Sequence, residues 1–449
     1  MLQDQALQGA SVGINIEEMP SGKILLSQDA GQLLVPASTL KTVTTATALE
    51  LLGPDFRFMT VYGTSGTIDR RSRLLEGSLV VRGGGDPTLG SAAFDDSPAP
   101  QAIAARMGER LKAAGIDRVN GDLIIDLSAF GVEETPGGWA WEDIGNYYGA
   151  GPSGLTFADN RVTLFFDSPA RAGEPVTLVR CEPRIPWLRW QNELRSSSVN
   201  RDLAYVYGSP WGERRLIRGT IPAARRDFAV KAAMPDPPRW FGNFLISHLT
   251  TMGIGVTGKV TTTRIPAEMT PLDTLYSPPL SRIIREINHE SINLFAEHLV
   301  IALSQMKSPQ GNLQEGLQVI ANHWKERGVR DLPFLEDGSG LSRANAVTPR
   351  FLTGVLRQAY KSPHAVTFLM SLPSAGNGTL SGFSTGDFPG ETLRCKSGSM
   401  ERVRGYAGYL KCDSGREVAF ALLVNNFPGS SQEVVKKIRE LLTEIRKKY

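Results

Sequence analysis

With 449 residues the chain is too long for one hydrophobic core, and two or three domains are expected. Its 41% apolar and 21% charged residues are those of an ordinary globular protein, and a net charge of +3 exerts no strong pull on nucleic acid or a membrane surface. No stretch approaches the roughly eighteen apolar residues of a transmembrane helix.

The start, Met1-Leu-Gln-Asp-Gln5, has neither the basic end nor the apolar centre of a secretory signal, which leaves a cytosolic protein or a mature form with an added methionine. Ser11-Val-Gly-Ile-Asn-Ile-Glu17 alternates apolar and polar residues. It turns at Pro20-Ser-Gly22 and continues as Lys23-Ile-Leu-Leu-Ser27, a predicted β-hairpin. An amphipathic helix is predicted next, roughly Ser38 to Leu52, with a stripe of Leu40, Val43, Ala46 and Leu49 and a stop at Gly53-Pro54. From Phe56 to Met269 the texture changes. Short β-like runs (Ser78 to Arg82, Asp122 to Asp126, Val162 to Phe166) alternate with Gly, Pro and Asp turns, and one helix is predicted from Gln101 to Ala114. After Pro278-Pro279 helical periodicity returns over Leu280 to Gln305, Asn312 to Arg327 and Pro349 to Tyr360. Two alternating strands, Arg402 to Leu410 and Val418 to Val424, turn at Asp413-Ser-Gly415, and a last helix runs from Ser431 to Lys448. Both ends combine antiparallel strands with helices, so the economical arrangement is one α/β domain split by an insertion.

The first helix places Ser38 and Lys41 three residues apart on one face. A serine hydroxyl is a weak nucleophile without a base in reach, and a lysine beside an apolar stripe becomes a base when burial or a second cation lowers its pKa. The alternative is an N-cap serine followed by a lysine that snorkels to water. The same spacing occurs at Ser304-Gln-Met-Lys307, at a helix end, where no chemistry is assigned. Ser291-Ile-Asn293 opens an apolar stretch in a helical context and has its own counterpart at Ser198-Val-Asn200. Lys396-Ser397-Gly398 occurs once, at the edge of a late strand; Gly398 leaves room for a ligand backbone, and a plain turn is the alternative. The order Ser-x-x-Lys, Ser-x-Asn, Lys-Ser-Gly is the set used by β-lactamases and penicillin-binding proteins.

Longer stretches carry the likeness further. Residues 36–53 (PASTLKTVTTATALELLG), 81–89 (VRGGGDPTL), 139–150 (WAWEDIGNYYGA), 337–343 (DGSGLSR) and 396–400 (KSGSM) resemble the D-alanyl-D-alanine carboxypeptidase/endopeptidase family of penicillin-binding proteins, of the class C, low-molecular-mass, DacB type. Two departures are Ile292, where that family often has Asp, and Ser397, where many relatives have Thr. The resemblance implies an α/β (α+β) fold: a penicillin-recognising, β-lactamase-like domain of antiparallel sheet flanked by helices, made of residues 1–56 and 270–449. Its β-rich insertion is expected to form two smaller domains, 57–83 with 157–269 and a nested 84–156.

The function implied is a serine-type D-alanyl-D-alanine carboxypeptidase/endopeptidase. It would act on peptidoglycan stem peptides, be acylated by β-lactam antibiotics, need no metal or other cofactor, and work in the periplasm or otherwise outside the cytoplasmic membrane. In that reading Ser38 attacks, Lys41 takes its proton and Ser291 relays a proton to the leaving amine. Asn293 holds Lys41 and the substrate amide, and Lys396 lowers the Lys41 pKa and attracts the substrate carboxylate. Ser397 hydrogen-bonds that carboxylate, Gly398 belongs with it to the substrate-binding residues, and the backbone N–H groups of Ser38 and Ser399 form the oxyanion hole. Asp126 is expected to meet a free amine of the stem, with a turn-starting aspartate as the alternative. A β-lactamase or esterase using the same chemistry, and a weakly catalytic cell-wall scaffold, are the rival readings.

The remaining polar features suggest no second chemistry. Cys181, Cys395 and Cys412 form no metal or redox pair; buried free thiols are expected, with a Cys395–Cys412 bridge as the alternative. The five histidines make no zinc pattern. The Arg-rich segment from Arg184 to Arg226, with Trp187, Trp190 and Trp211, reads as a solvated face with aromatic anchors and not as a nucleic-acid site.

Overall fold

The computed structural model describes residues 4–131 and 135–449; residues 1–3, part of the start inspected for a signal, lie outside the described residues. The chain divides into two compact units, one formed by residues 1–56, 136–138 and 279–449 and the other by 57–135 and 139–278.

The first unit contains β1 (Ser11–Glu18), β2 (Lys23–Gln28), α1 (Lys41–Leu52), α2 (Leu280–Glu290), α3 (Asn293–Ser304), α4 (Leu313–Glu326), α5 (Pro349–Lys361), α6 (Ala365–Ser371), β3 (Leu393–Met400), β4 (Val403–Lys411), β5 (Glu417–Asn425) and α7 (Ser431–Lys448). Its strands form one antiparallel sheet in the order β3-β4-β5-β1-β2. β1 lies on β5 with Ser11 opposite Asn425 and Glu18 opposite Val418, which joins the two separated parts of the unit. The period-two alternation sets the faces of the sheet. Val12, Ile14 and Ile16 join Phe420, Leu422 and Val424 in one core with Val434, Ile438, Leu442 and Ile445 of α7. The alternate positions meet α5: a Cβ on Gly13 would lie 2.7 Å from the Pro349 ring, and Asn15 donates to Thr353 Oγ1 at 2.7 Å.

Three local features differ from the expected elements. α1 begins at Lys41, behind a 3-10 turn over Ala37–Leu40, and it is not amphipathic, because residues 41–49 are all buried. Its threonines make this tolerable by returning their hydroxyls to carbonyls: Thr42 to Thr39 (2.8 Å), Thr44 to Gly338 (2.6 Å), Thr45 to Lys41 (2.6 Å) and Thr47 to Val43 (2.7 Å). The helix expected over 280–305 is two helices, broken where Ser291 takes a left-handed φ of 60°. A third C-terminal strand, β3, precedes the two predicted ones. The cysteines are free thiols, with Cys395 and Cys412 buried.

The second unit holds a seven-stranded sheet, a four-stranded sheet and a three-stranded sheet around one core. The seven-stranded sheet pairs Leu74–Gly83 with both Arg118–Asn120 and Leu123–Asp126, and those in turn with Gly255–Val256 and Val260–Thr263. The expected boundary between 57–83 with 157–269 and a nested 84–156 therefore runs through a hydrogen-bonded sheet. Helices Pro100–Ala113 and Pro237–Thr251 supply Ile103, Met107, Trp240, Phe241 and Leu245 to the core; the second of them was not among the expected elements.

Candidate active site

Ser38 sits in the turn that leads into α1. In a 3-10 turn residues i and i+3 eclipse one another, so the spacing of Ser38 and Lys41 becomes a direct contact. Lys41 Nζ lies 2.9 Å from Ser38 Oγ. Ala37, just before the serine, has a φ of 47°, a left-handed conformation that a non-glycine residue adopts only where its surroundings impose it. Three glycines permit that crowding. A Cβ on Gly398 would meet Pro36 O at 2.7 Å and the Ser38 amide nitrogen at 3.0 Å, and one on Gly340 would meet Ala37 O at 1.9 Å. One on Gly405 would meet Pro36 O at 3.2 Å. The missing side chain at 398 thus makes room for the turn that carries Ser38, where the sequence had suggested a ligand backbone.

Lys41 is fully buried, and its amine has three partners: Ser38 Oγ, Asn293 Oδ1 at 2.6 Å and the Ser339 carbonyl at 2.7 Å. A neutral amine has two hydrogens and one lone pair. Donating to Asn293 and Ser339 leaves the lone pair for the Ser38 hydroxyl proton. Burial draws the Lys41 pKa down to about 7, against the pull of the Asp337 and Glu297 carboxylates in the other direction. Lys396 was expected to lower it as a second cation; burial is what lowers it here. Lys396, on edge strand β3, is itself fully buried, and burial together with the nearby Lys41 charge holds it well below the ordinary lysine range. Its amine donates to the Ser397 carbonyl at 2.8 Å.

Two buried carboxylates shape the other wall. Glu297, one turn along α3 from Asn293, accepts from the amides of Gly338 (2.8 Å) and Ser339 (2.9 Å). Asp337 accepts from the amides of Gly340 (2.7 Å) and Ser342 (2.6 Å) and from the Asn345 side chain (2.8 Å). These bonds fix the 337–342 loop so that the Ser339 carbonyl faces Lys41. Burial and the neighbouring Asp337 push Glu297 up to about 8, while its amide bonds oppose that shift. The motif spacing does not single out Glu297 or Ser339; the DGSGLSR stretch that holds Ser339 was noted for its family likeness alone.

Ser38, Lys41 and Asn293 are joined by direct hydrogen bonds, and Gly398 abuts the Ser38 turn. Ser291 stands at the α2–α3 break, two residues before Asn293, and its hydroxyl has no hydrogen-bond partner among the described residues. Ser397 is half-buried and Ser399 exposed on β3. Asp126, in the second unit, is fully buried and committed to its own surroundings: Arg82 at 2.7 Å, the Ser128 amide at 2.9 Å and the Ala267 amide at 3.0 Å. Burial alone would raise its pKa, but the bonds from Ser128 and Arg82 hold it below the usual carboxylate value. The look-alike motifs are also accounted for. Ser304 donates to the Ile301 carbonyl at 2.7 Å and accepts from the Asn312 amide at 2.8 Å, while Lys307 is exposed. Asn200 is exposed and accepts from Arg225 at 2.8 Å.

Comparison with known proteins identifies the family. The chain is 31% identical over 452 residues to a D-alanyl-D-alanine carboxypeptidase of Actinomadura sp. (strain R39), covering 97% of this chain and 81% of that protein. It is 25% identical over 455 residues to the D-alanyl-D-alanine carboxypeptidase DacB of Haemophilus influenzae, covering 98% and 91%. The crystal structure of penicillin binding protein 4 from Haemophilus influenzae superposes with a TM-score of 0.85 over 99% of this chain and 98% of that one, at 24% identity, and so shares the fold. The family model for D-Ala-D-Ala carboxypeptidase 3 (S13) matches residues 1–449, and the chain belongs to that family of serine carboxypeptidases.

Proposed function

We propose that Ser38 is the residue acylated by the D-alanyl-D-alanine end of a peptidoglycan stem peptide, with Lys41 as its general base. The observation that carries this reading is the Lys41 amine, buried, drawn down to about 7 and bonded to the Ser38 hydroxyl with its other two partners both acceptors. As Ser38 Oγ bonds to the carbonyl carbon between the two D-alanines, its proton passes to Lys41 Nζ. The amide C–N bond then breaks, and Lys41 gives that proton through Ser291 to the leaving amine. Water attacks the ester, Lys41 accepts the water's proton and returns it to Ser38 Oγ as the ester C–O bond breaks, and the peptide leaves.

Asn293 orients Lys41 and the substrate amide, and the Ser38 and Ser399 N–H groups receive the developing oxyanion, each worth about 3 kcal/mol. Lys396 and Ser397 receive the terminal carboxylate beside Gly398. Asp126 is left out of this assignment, because its hydrogen bonds support a role in holding strands of the second unit together. β-Lactams acylate the same hydroxyl in this reading, as the complex of the Haemophilus influenzae protein with a β-lactam suggests. The balance extends to endopeptidase cleavage wherever the groove admits a cross-link. Such a substrate places the enzyme outside the cytoplasmic membrane, and among the described residues no helix is long and apolar enough to cross one.

The test is covalent labelling by a fluorescent penicillin, read by mass spectrometry. Ser38→Ala abolishes the adduct and Ser304→Ala keeps it; an adduct retained on the first variant ends the assignment.

A further inference from the structure

Within the second unit a groove of about 890 Å³ is lined by Arg189, Arg214, Arg215 and Arg218 together with Trp141 and Trp190. Arg215 is one of its lining residues. It is only 2% exposed, yet no carboxylate among the described residues lies within ion-pair distance of it. Its Nη1 donates to backbone carbonyls, Gly212 at 3.1 Å and Arg214 at 3.4 Å, and its Nε has no acceptor. The fold makes deliberate room for this side chain: a Cβ on Gly208 would lie 2.5 Å from the guanidinium and 2.6 Å from Cδ.

Trp190 stands opposite Arg215 in the parallel pairing of Arg189–Asn192 with Arg214–Pro222, and its indole Nε1 is likewise buried without a partner. Two buried donors that lack acceptors therefore sit side by side in one groove, where each is costly unless something supplies an oxygen. Burial with no counter-charge lowers Arg215 to about 10. Around it, Arg189 and Arg214 are exposed and form no ion pair among the described residues. Arg218 is tied to Glu193 at 2.8 Å, and the one acid of the lining, Glu213, is spent on Arg239 at 3.0 Å.

We infer that this groove is a binding site for an anionic saccharide, with a carboxylate or phosphate ester on Arg215 and the rim arginines and a sugar ring against Trp190 and Trp141. Planar guanidinium groups match either oxyanion, and the flat indole faces suit the C–H face of a pyranose. The groove falls within the roughly 300–1,000 Å³ of small-ligand pockets. It offers no track for the run of about four or more nucleotides that single-strand binders follow. The site lies wholly within the second unit, and the proposal stands independently of the Ser38 assignment.

The test is calorimetric titration and tryptophan fluorescence on the full chain, at low and at physiological salt. Four probes are compared: a peptide-stripped glycan carrying muramic carboxylates, a polymer of N-acetylglucosamine 1-phosphate, a neutral N-acetylglucosamine oligomer, and a twelve-residue oligothymidylate. At least one of the first two binds with marked salt dependence, the neutral oligomer binds at least tenfold more weakly, and whichever anionic probe binds identifies the source of the anion. Arg215→Met and the rim variant Arg189→Ala/Arg214→Ala each weaken that binding at least tenfold while Ser38 labelling proceeds at the wild-type rate. The rim variant carries the test alone if Arg215→Met does not fold. Failure of both anionic probes, equal binding of the neutral oligomer, tightest binding of the oligonucleotide, or wild-type binding by the folded variants overturns the proposal.

Discussion

Adding a single methyl group at Gly398 tests how tightly strand β3 is set against Ser38, the proposed nucleophile. The new Cβ would stand 2.7 Å from Pro36 O, 2.9 Å from the Thr39 nitrogen and 3.0 Å from the Ser38 nitrogen. All three are backbone atoms, so none can swing aside. Ordinary contact begins near 3.4 Å, so strand and turn must part by about 0.4 to 0.7 Å. Overpacking of that kind costs about 1–3 kcal/mol, and a misplacement of about 1 Å at a reacting group lowers rates on the order of a hundredfold. The Ser38–Lys41 bond of 2.9 Å has little slack before it ceases to be one. Gly398→Ala should therefore slow acylation of Ser38 by a fluorescent penicillin roughly 10- to 100-fold and lower the melting temperature. Gly255→Ala is the control, since a Cβ there meets nothing within 4 Å. If Gly398→Ala labels within twofold of the wild type, the close approach has no catalytic weight and the reasoning fails.

Three further outcomes are expected. Lys41 accepts a proton only when neutral, so with its pKa at about 7 the acylation rate should climb as pH rises through that value and fall about tenfold per unit below it; stopped-flow labelling from pH 5 to 9 checks this, and a flat profile removes Lys41 as the base. Glu297→Ala strips the acceptor from two buried amides, so it should cost about 2–4 kcal/mol in a urea titration and slow acylation by freeing the Ser339 carbonyl. Glu297→Gln, which keeps one acceptor, should recover part of both losses. Asp126→Ala should lower the unfolding midpoint by the equivalent of about 2–3 kcal/mol and leave unchanged both penicillin labelling and the turnover of folded enzyme on stem peptides with a free or a capped side-chain amine. A selective loss on the free amine would restore its substrate role.

What the chain discloses without coordinates depends on the range of the forces involved. Ser38 and Lys41 meet because a single turn brings them together, and their pattern survives in one dimension. The hairpin over β1 and β2 and the helix of α7 are legible for the same reason, since alternation and a capping box are local. The α2–α3 break is not: Ile284 and Ile287 before it and Leu294 and Leu299 after it are all buried, so the apolar rhythm continues across a residue whose backbone reverses hand. α1 misleads differently. Its threonines look like a solvent face, and only the carbonyls waiting above each hydroxyl explain why they are inside. Glu297 and Asp337 are forty positions apart and act on a carbonyl, which has no letter in the sequence. Asp126 shows the opposite case, a carboxylate read for a distant purpose whose nearest cation, Arg82, stands on the adjacent strand.

The pairing of β1 with β5 bears on how the enzyme is made. Ser38, the proposed nucleophile, precedes in the chain both the strand that carries Lys396 and the central strand that receives the N-terminal hairpin, so it is synthesised well before either. Until then Ser38 is an ordinary alcohol on an unpaired segment. In the proposed assignment a chain released before β3 and β5 are made lacks Lys396 and the strand that receives β1, and so yields no stray hydrolase.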